Sequence, residues 1–100
     1  MKIQIDKLSI DPLAKTVTVN NIPVDLTRKE FELLYYLATN RNKVISKHVI
    51  AEHISNTGNA YHDSLDFIYS HVKNLKRKLA RAGCRDHIRS VYGMGYKFIE

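Results

Sequence analysis

The fold of this chain is decided by the segment DSLDFIYSHVKNLKRKLARAG at residues 63–83. Apolar residues recur along it at steps of three and four, which is the pattern of a helix that buries one side. This apolar stripe consists of Leu65, Ile68, Val72, Leu75, Leu79 and Ala82. Asp63 or Ser64 is suited to begin the helix, and Gly83 is suited to its C-terminal cap. The segment therefore predicts one long amphipathic helix.

The segment that follows, IRSVYGMGYKF at residues 88–98, predicts a β-hairpin. Strands over about 88–92 and 96–99 flank Gly93-Met94-Gly95, and the glycines permit the positive φ angles of a tight turn. Tyr96 and Phe98 share one face of the second strand, so we expect both in the core. Tyr92 either packs along the hairpin or approaches a ligand.

The helix and the hairpin are strongly basic. Over residues 63–97, eight lysines and arginines stand against three acidic residues, a surplus of five. Opposite the apolar stripe, the helix carries Asp66, Ser70, Lys73, Arg77 and Arg81, with Asn74 beside them. A rigid helix fits the major groove of double-stranded DNA, and lysine and arginine neutralise its phosphates. The pattern therefore favours a protein that binds a duplex.

The side chains opposite the stripe have the chemistry that such binding needs. Lys73 and Arg77 can contact guanine edges or phosphates. Asn74 can pair with adenine through two hydrogen bonds. Arg81 lies one turn beyond Arg77, where we expect a phosphate contact.

The totals of the chain fit one folded domain with an anionic partner. The 100 residues can form a single core, and a hydrophobic content of 44% is typical of a folded chain. Sixteen lysines and arginines against ten acidic residues give a net charge of +6, which favours polyanionic partners. No apolar run approaches the roughly 20 residues of a membrane span, and no signal-peptide core begins the chain. We expect a cytoplasmic domain without membrane contact.

The first part of the chain predicts a small antiparallel sheet. Residues 2–10 suit one half-buried strand that ends at Asp11-Pro12. Residues 16–19 form a second strand and residues 22–26 a third, with the turn pair Asn20-Asn21 between them.

Two shorter helices follow this sheet. Thr27 and Glu30 have the spacing of a capping box, which predicts the start of the first helix. Ser46 can cap a second helix over about 46–54, with Val49 and Ile54 facing inward. The predicted fold is a single α+β domain over residues 1–100, a winged helix-turn-helix with an N-terminal antiparallel sheet, a three-helix core and a C-terminal β-hairpin wing.

The chain resembles the DNA-binding effector domain of OmpR/PhoB-type response regulators over nearly its whole length. The matching pieces are LTRKEFELLYYL at 26–37, VISKHVI at 44–50, HVKNLKRKL at 71–79 and IRSVYGMGYKF at 88–98. The resemblance implies a four-stranded N-terminal sheet, and a protein that binds double-stranded promoter DNA in a bacterial two-component system. A receiver domain would belong to the full-length protein and is absent from this chain.

The resemblance also implies roles for particular residues. The third helix enters the major groove, the wing touches the adjacent minor groove, and the loop from Ser55 to His62 can contact RNA polymerase. The implied recognition positions are Ser70, Lys73, Asn74 and Arg77, with Tyr69 and Arg81 at the margins. In the wing, the implied DNA contacts are Arg89, Tyr92 and Lys97.

Four positions depart from the pattern of this family. His53-Ile54-Ser55 stands where a tryptophan usually ends the second helix. Asp66 replaces an arginine that usually begins the third helix, and Tyr69 replaces an aspartate. The wing motif usually reads RGxGY, and here Tyr92 replaces the arginine. The base preference of better-known members is therefore not carried over.

The sequence indicates no catalytic, metal or cofactor site. His48 and His53, like His62 and His71, lack the spacing of metal ligands on one helical face. The single cysteine, Cys84, excludes an internal disulfide. Glu30 is explained by capping, and no nucleophile motif or phosphate-binding glycine loop is present. We expect a binding protein that is not an enzyme and needs no cofactor.

Two other functions fit the same residues. One is a winged-helix protein-interaction module, which the missing wing arginine and first-turn arginine suggest. Counterion release separates it from a DNA-binding domain, since six phosphate contacts give a log–log salt slope near −5, at about −0.9 per phosphate. The other is the cytoplasmic DNA-binding domain of a membrane-anchored activator with the same fold.

Overall fold

A computed structural model, which describes residues 2–54 and 65–100, confirms the predicted winged-helix architecture. In chain order the elements are β1 (Ile3–Ile5), β2 (Leu8–Asp11), β3 (Thr16–Val19), β4 (Ile22–Pro23), α1 (Arg28–Thr39), β5 (Val44–Ile45), α2 (Lys47–Ile54), α3 (Leu65–Arg81), β6 (Ile88–Val91) and β7 (Gly95–Phe98). The helix start predicted at Asp63 or Ser64 lies outside the described residues, as does the loop at 55–62.

The N-terminal sheet has four antiparallel strands in the order β1-β2-β3-β4. The prediction of one strand over residues 2–10 is wrong, because the chain turns at Asp6 and Lys7 so that Ile5 pairs with Leu8. Asp6 has a φ of 54°, in the left-handed region that aspartate tolerates in turns. The four-stranded sheet implied by the family resemblance is thus confirmed.

The turn between β3 and β4 is the predicted pair Asn20-Asn21. Both residues have positive φ angles, 56° and 67°, as a two-residue type I′ hairpin turn requires. β4 is shorter than the predicted strand over 22–26. Its last residue, Pro23, has no amide hydrogen to donate to a sheet.

Helix α1 begins with the predicted capping box. The Glu30 amide donates to Thr27 Oγ1 at 3.2 Å, and the Thr27 amide donates to Glu30 Oε1 at 2.9 Å. The box satisfies amide groups that the first helical turn leaves without partners. Leu26, just before the cap, packs against the core, and Phe31 is part of the core.

Helix α2 has Ser46 as its cap, since the Val49 amide donates to Ser46 Oγ at 3.2 Å. The predicted inward position of Val49 is wrong, because its side chain is exposed. Ile50, Ala51 and Ile54 form the buried side instead. At about 100° per residue, Val49 lies on the other side of Ile50 from Ala51 and so falls outside the buried arc.

A second sheet joins the wing to the strand that precedes α2. Its order is β5-β7-β6, and Ile45 of β5 pairs with Tyr96 of β7. β5 was not predicted, because two residues are too few for a periodic signal. Gly95 has a φ of 146°, and a Cβ at this position would overlap the Ile45 carbonyl. Only glycine therefore permits the close approach of β7 to β5.

The core lies where the sheets and the three helices meet. The predicted stripe of α3 is buried at Ile68, Val72, Leu75 and Leu79. Tyr96 and Phe98 are also buried, as predicted. The stripe thus fixes which side of α3 remains available for a partner.

The end of α3 is the predicted glycine cap. Gly83 has a φ of 90°, and the amides of Gly83 and Cys84 each donate at 3.0 Å to the carbonyls of Ala80 and Leu79 respectively. This is the Schellman arrangement, which usually includes a hydrophobic contact. Cys84 is buried, and burial raises the pKa of its thiol above the ordinary value. The thiol is therefore a packing group.

Candidate nucleic-acid interface

Helix α3 presents its two sides to different surroundings. The stripe described above faces the core, and the opposite side carries an exposed line of residues, here termed the outward row: Asp66, Ser70, Lys73, Arg77 and Arg81. These residues follow one another at steps of three or four, so they share one helix face. Asn74 lies beside the row and is half-buried. The structure thus brings together the recognition positions predicted on α3.

The cations of the outward row have no partners within the described parts of the chain. Lys73, Arg77 and Arg81 form neither an ion pair nor a hydrogen bond there. From Lys73 to Arg81 the helix rises about 12 Å. Three uncompensated positive charges on one face attract a polyanion.

Lys78, the neighbour of Arg77 in sequence, has a quite different environment. Its Nζ lies 2.6 Å from Oε1 of Glu30, whose side chain is only 3% exposed. Charge-assisted hydrogen bonds of this kind are among the stronger polar contacts in proteins. The pair joins α3 to α1, so Lys78 belongs to the scaffold and not to the exposed basic surface.

The Glu30 carboxylate is kept ionised by these contacts. Burial alone would raise the pKa of Glu30, but hydrogen bonds from Lys78 and from the Thr27 amide, with the charge of Lys78, bring this pKa below its ordinary 4.5. The same group caps α1 and holds α3. The second role was not predicted, because Lys78 lies 48 positions away and no local pattern indicates the contact.

The base of the wing is tied to α3. Lys76 Nζ donates to the Ile88 carbonyl at the base of β6 at 2.9 Å, and it lies 3.4 Å from the Asp86 carboxylate. Lys76 thus joins the base of the wing to the helix that carries the outward row. Burial raises the pKa of Tyr96 on β7, and the negative charge of an ionised Tyr69 raises it further.

The predicted wing residues occupy different levels of the hairpin. Arg89 and Lys97 face each other in register, and neither has a partner among the described residues. Tyr92 stands fully exposed at the tip and does not pack along the hairpin. The tip is closed by a 2.9 Å hydrogen bond from the Met94 amide to the Val91 carbonyl, in agreement with the predicted tight turn.

A groove of about 450 Å³ separates the wing tip from the start of α2. Ser46, Lys47 and His48 form one wall, and residues 90–95 form the other. Lys47 adds a cation at the positive end of the α2 dipole. Nothing in the sequence distinguished Lys47 and His48 from ordinary surface residues. Their position beside the wing follows from the pairing of β5 with β7.

The end of α2 is joined to α1 by an aromatic contact. The ring of His53 stacks on Tyr36 of α1, with centroids 3.7 Å apart and planes inclined by 26°. Stacked rings of this kind add to the energy of area burial. The loop from Ser55 to His62, for which a polymerase contact was predicted, lies outside the described residues.

The described residues contain no group of three His, Cys, Asp or Glu side chains that could hold a metal ion. His87 is buried against Phe98, with ring centroids 5.0 Å apart, and its Nδ1 lies 2.8 Å from the Ile99 carbonyl oxygen. This histidine is part of the packing at the base of the wing. Within the same residues, no helix has the length and apolar character needed to cross a membrane.

Comparison with known proteins identifies similar sequences. The family model described as "Transcriptional regulatory protein, C terminal" matches residues 21–98. The response regulator SaeR of Staphylococcus aureus (strain USA300) is 37% identical over 98 residues, and SaeR of Staphylococcus epidermidis (strain ATCC 12228) is 36% identical over 98 residues. Each alignment covers 97% of this chain and 42% of the relative, so the chain spans about two-fifths of their length.

Solved structures share the fold. The DNA-binding domain of the response regulator AdeR, in complex with an intercistronic region, matches with a TM-score of 0.85 and 22% identity over 98% of this chain and 99% of that one. The Klebsiella pneumoniae RstA DNA-binding domain, in complex with the RstA box, gives 0.82 and 24% over 98% and 96%. DrrB, a Thermotoga maritima OmpR/PhoB homologue, gives 0.83 and 25% over 99% and 44%.

Proposed function

Because this chain belongs to the C-terminal domains of transcriptional regulatory proteins, of the OmpR/PhoB type, we propose that it binds double-stranded promoter DNA in a sequence-specific manner. Helix α3 lies in the major groove, and the wing lies on the adjacent minor groove and backbone. The observation that carries this proposal is the outward row, whose three cations have no partners among the described residues.

The residues of the interface divide by chemistry. Arg77 is the middle one of the three cations in the outward row and can read a guanine edge, while Asn74 beside it can read adenine. Ser70 and Lys73 extend the same contact toward the first turns of α3. Arg81 at the end of the row, with Arg89 and Lys97 on the wing, neutralises phosphates.

The proposal also covers the full-length regulator of which this chain would be a part. By analogy with the SaeR relatives, of which the chain spans 42%, the domain is the effector part of a cytoplasmic two-component response regulator with a separate receiver domain. The loop from Ser55 to His62 contacts RNA polymerase. The domain acts by binding and not by catalysis.

The proposal is tested first by an amide NMR titration with short duplex DNA at low salt. Binding through α3 and the wing shifts the amides of residues 66–81 and 89–97, and added salt reverses the shifts because counterions compete for the phosphates. Shifts that avoid these residues would instead support the protein-interaction alternative. No operator sequence is needed for this experiment.

Arg77→Ala tests the middle cation of the row. We expect a loss of about 1–3 kcal/mol of binding free energy for a duplex selected from a random pool. The free energy of unfolding should stay within about 0.5 kcal/mol, because Arg77 is exposed and has no partner among the described residues. Arg28→Ala, at an exposed arginine that begins α1, is the matched control for loss of charge. A large loss of stability in Arg77→Ala would show that this residue supports the fold.

A further inference from the structure

We propose that the wing tip is a neutral, apolar probe of the minor groove, formed by Tyr92 and Met94. Their nonpolar surfaces contact the walls of the groove next to the site of α3 and contribute affinity that changes little with salt. This inference rests on the proposed function, since it requires α3 to lie in the major groove. It assigns to the wing tip a chemistry different from that of the outward row.

The exposure of the two side chains is the first observation. Tyr92 is 101% exposed and Met94 is 62% exposed, so the hairpin covers none of Tyr92 and leaves most of Met94 in contact with solvent. The removal of apolar surface from water is favourable by about 25 cal/mol per Å². Both side chains therefore gain from any surface that closes over the tip.

The position of the cations on the wing is the second observation. Arg89 and Lys97 lie opposite each other, two residues behind the last pair of the hairpin, Val91 and Gly95. At about 3.3 Å per residue, they stand about 7 Å behind that pair, and the tip extends beyond it. No charged side chain is present in the sequence from Tyr92 to Met94. The part of the wing that reaches a groove first is thus uncharged.

The width of the minor groove determines which side chains enter it. The groove of B-DNA is about 6 Å wide, whereas two paired strands are already about 4.8 Å apart before their side chains are added. A two-stranded ribbon is therefore too wide, and only side chains at its tip fit. In this chain those side chains are Tyr92 and Met94.

The surroundings of the tip identify DNA as the surface that covers it. Lys47 across the groove and Arg89 and Lys97 behind the tip are all positive, and no carboxylate lines the groove between Ser46 and Gly95. These charges hold a polyanion against the wing. The tip then approaches a phosphate backbone without carrying a charge of its own.

A neutral tip has a consequence for the sequences that flank the major-groove site. The narrow minor groove of an A-tract has an enhanced negative potential, which attracts inserted arginine or lysine. Tyr92 and Met94 gain nothing from that potential. Replacement of the flanking minor-groove sequence by an A-tract should therefore not increase the affinity of this chain.

The test compares single variants on one duplex, selected from a random pool, by fluorescence anisotropy across a salt series. Tyr92→Ala should weaken binding about tenfold at every salt concentration, which corresponds to about 55 Å² of apolar surface. Tyr92→Phe should bind like the unchanged chain, because it keeps the ring. Arg89→Ala is the contrasting control and should lower the salt slope by about 0.9.

Three results would overturn the proposal. Equal losses in Tyr92→Phe and Tyr92→Ala would show a hydroxyl hydrogen bond to phosphate. Unchanged binding by Tyr92→Ala, while the unchanged chain binds the duplex, would show that the tip does not touch DNA and would leave the proposed role of α3 intact. Absence of duplex binding by the unchanged chain would refute the role of α3 as well. Unfolding in urea checks that each variant is folded.

Tyr92→Arg provides the opposite test. It places a cation at the tip, so it should raise the salt slope by about 0.9 and create a preference for duplexes with an A-tract in the flanking minor groove. A preference for A-tract flanks already present in the unchanged chain would contradict a neutral tip.

Discussion

The flanks of α3, defined here by Lys76 and Lys78, and the outward row both carry cations. The two sets of cations make different contacts. On the flanks, Lys76 donates to the Ile88 carbonyl, and Lys78 pairs with the Glu30 carboxylate. In the outward row, Lys73 and Arg77 have no partner among the described residues. The four cations are interleaved in the run KNLKRK at 73–78.

The difference shows that a count of charges overstates the surface available to DNA. Two of the four cations in this run neutralise groups of the protein itself, so they contribute to folding. The other two remain uncompensated and can contribute to binding. Substitutions on the two sides of α3 should therefore separate stability from DNA affinity.

The largest difference between the effect on stability and the effect on DNA affinity should come from a substitution on the buried side of α3. Leu75 is fully buried in the stripe, so Leu75→Ala removes contacts and leaves a cavity. We expect a loss of about 2–5 kcal/mol in the free energy of unfolding, measured in urea. The salt slope of DNA binding by the fraction that remains folded should not change. Retained stability would show that Leu75 does not lie on the buried side of α3.

A smaller effect on stability should come from Lys78, which lies on the flank of α3. Lys78→Met keeps the apolar stem and removes the charge, which leaves the Glu30 carboxylate without its cation. We expect a loss of about 1–3 kcal/mol of stability and an unchanged salt slope. Lys73→Met is the matched control, with unchanged stability and a slope lower by about 0.9. If both variants lowered the slope equally, Lys78 would also belong to the DNA surface.

The smallest effect should appear as a dependence of stability on pH. The pKa of Glu30 is lower in the folded chain than its ordinary 4.5, so in acid the unfolded chain binds the proton more readily. The stabilisation from ionised Glu30 is complete above pH 4.5 and is lost as the pH falls through the folded pKa. The stability difference between the unchanged chain and Glu30→Gln should therefore shrink in acid. A difference that grows in acid would contradict the pairing with Lys78.

Elements set by neighbouring residues could be predicted from the sequence. The capping box of Thr27 and Glu30 and the glycine cap at Gly83 each depend on residues within one helical turn. The stripe of α3 is a periodic signal over many residues. The family resemblance added the four-stranded sheet, which alternation over residues 2–10 had not revealed.

Features set by distant residues could not be predicted. The contact between Glu30 and Lys78 and the pairing of β5 with β7 join segments far apart in the chain. The same pairing brings Lys47 beside the wing, where no sequence signal placed it. On the proposed DNA surface, the sequence identified which side chains of α3 are exposed, and their contacts with bases are a prediction.

The two glycines of the YGMG motif, Gly93 and Gly95, differ in which residues can replace them. Gly93 needs only its positive φ of 73°, with open space around the missing Cβ, so asparagine or aspartate is an acceptable replacement. Gly95 needs both its backbone angle and the absence of a side chain against Ile45. Selection for folded variants should therefore return several residues at position 93 and glycine alone at position 95.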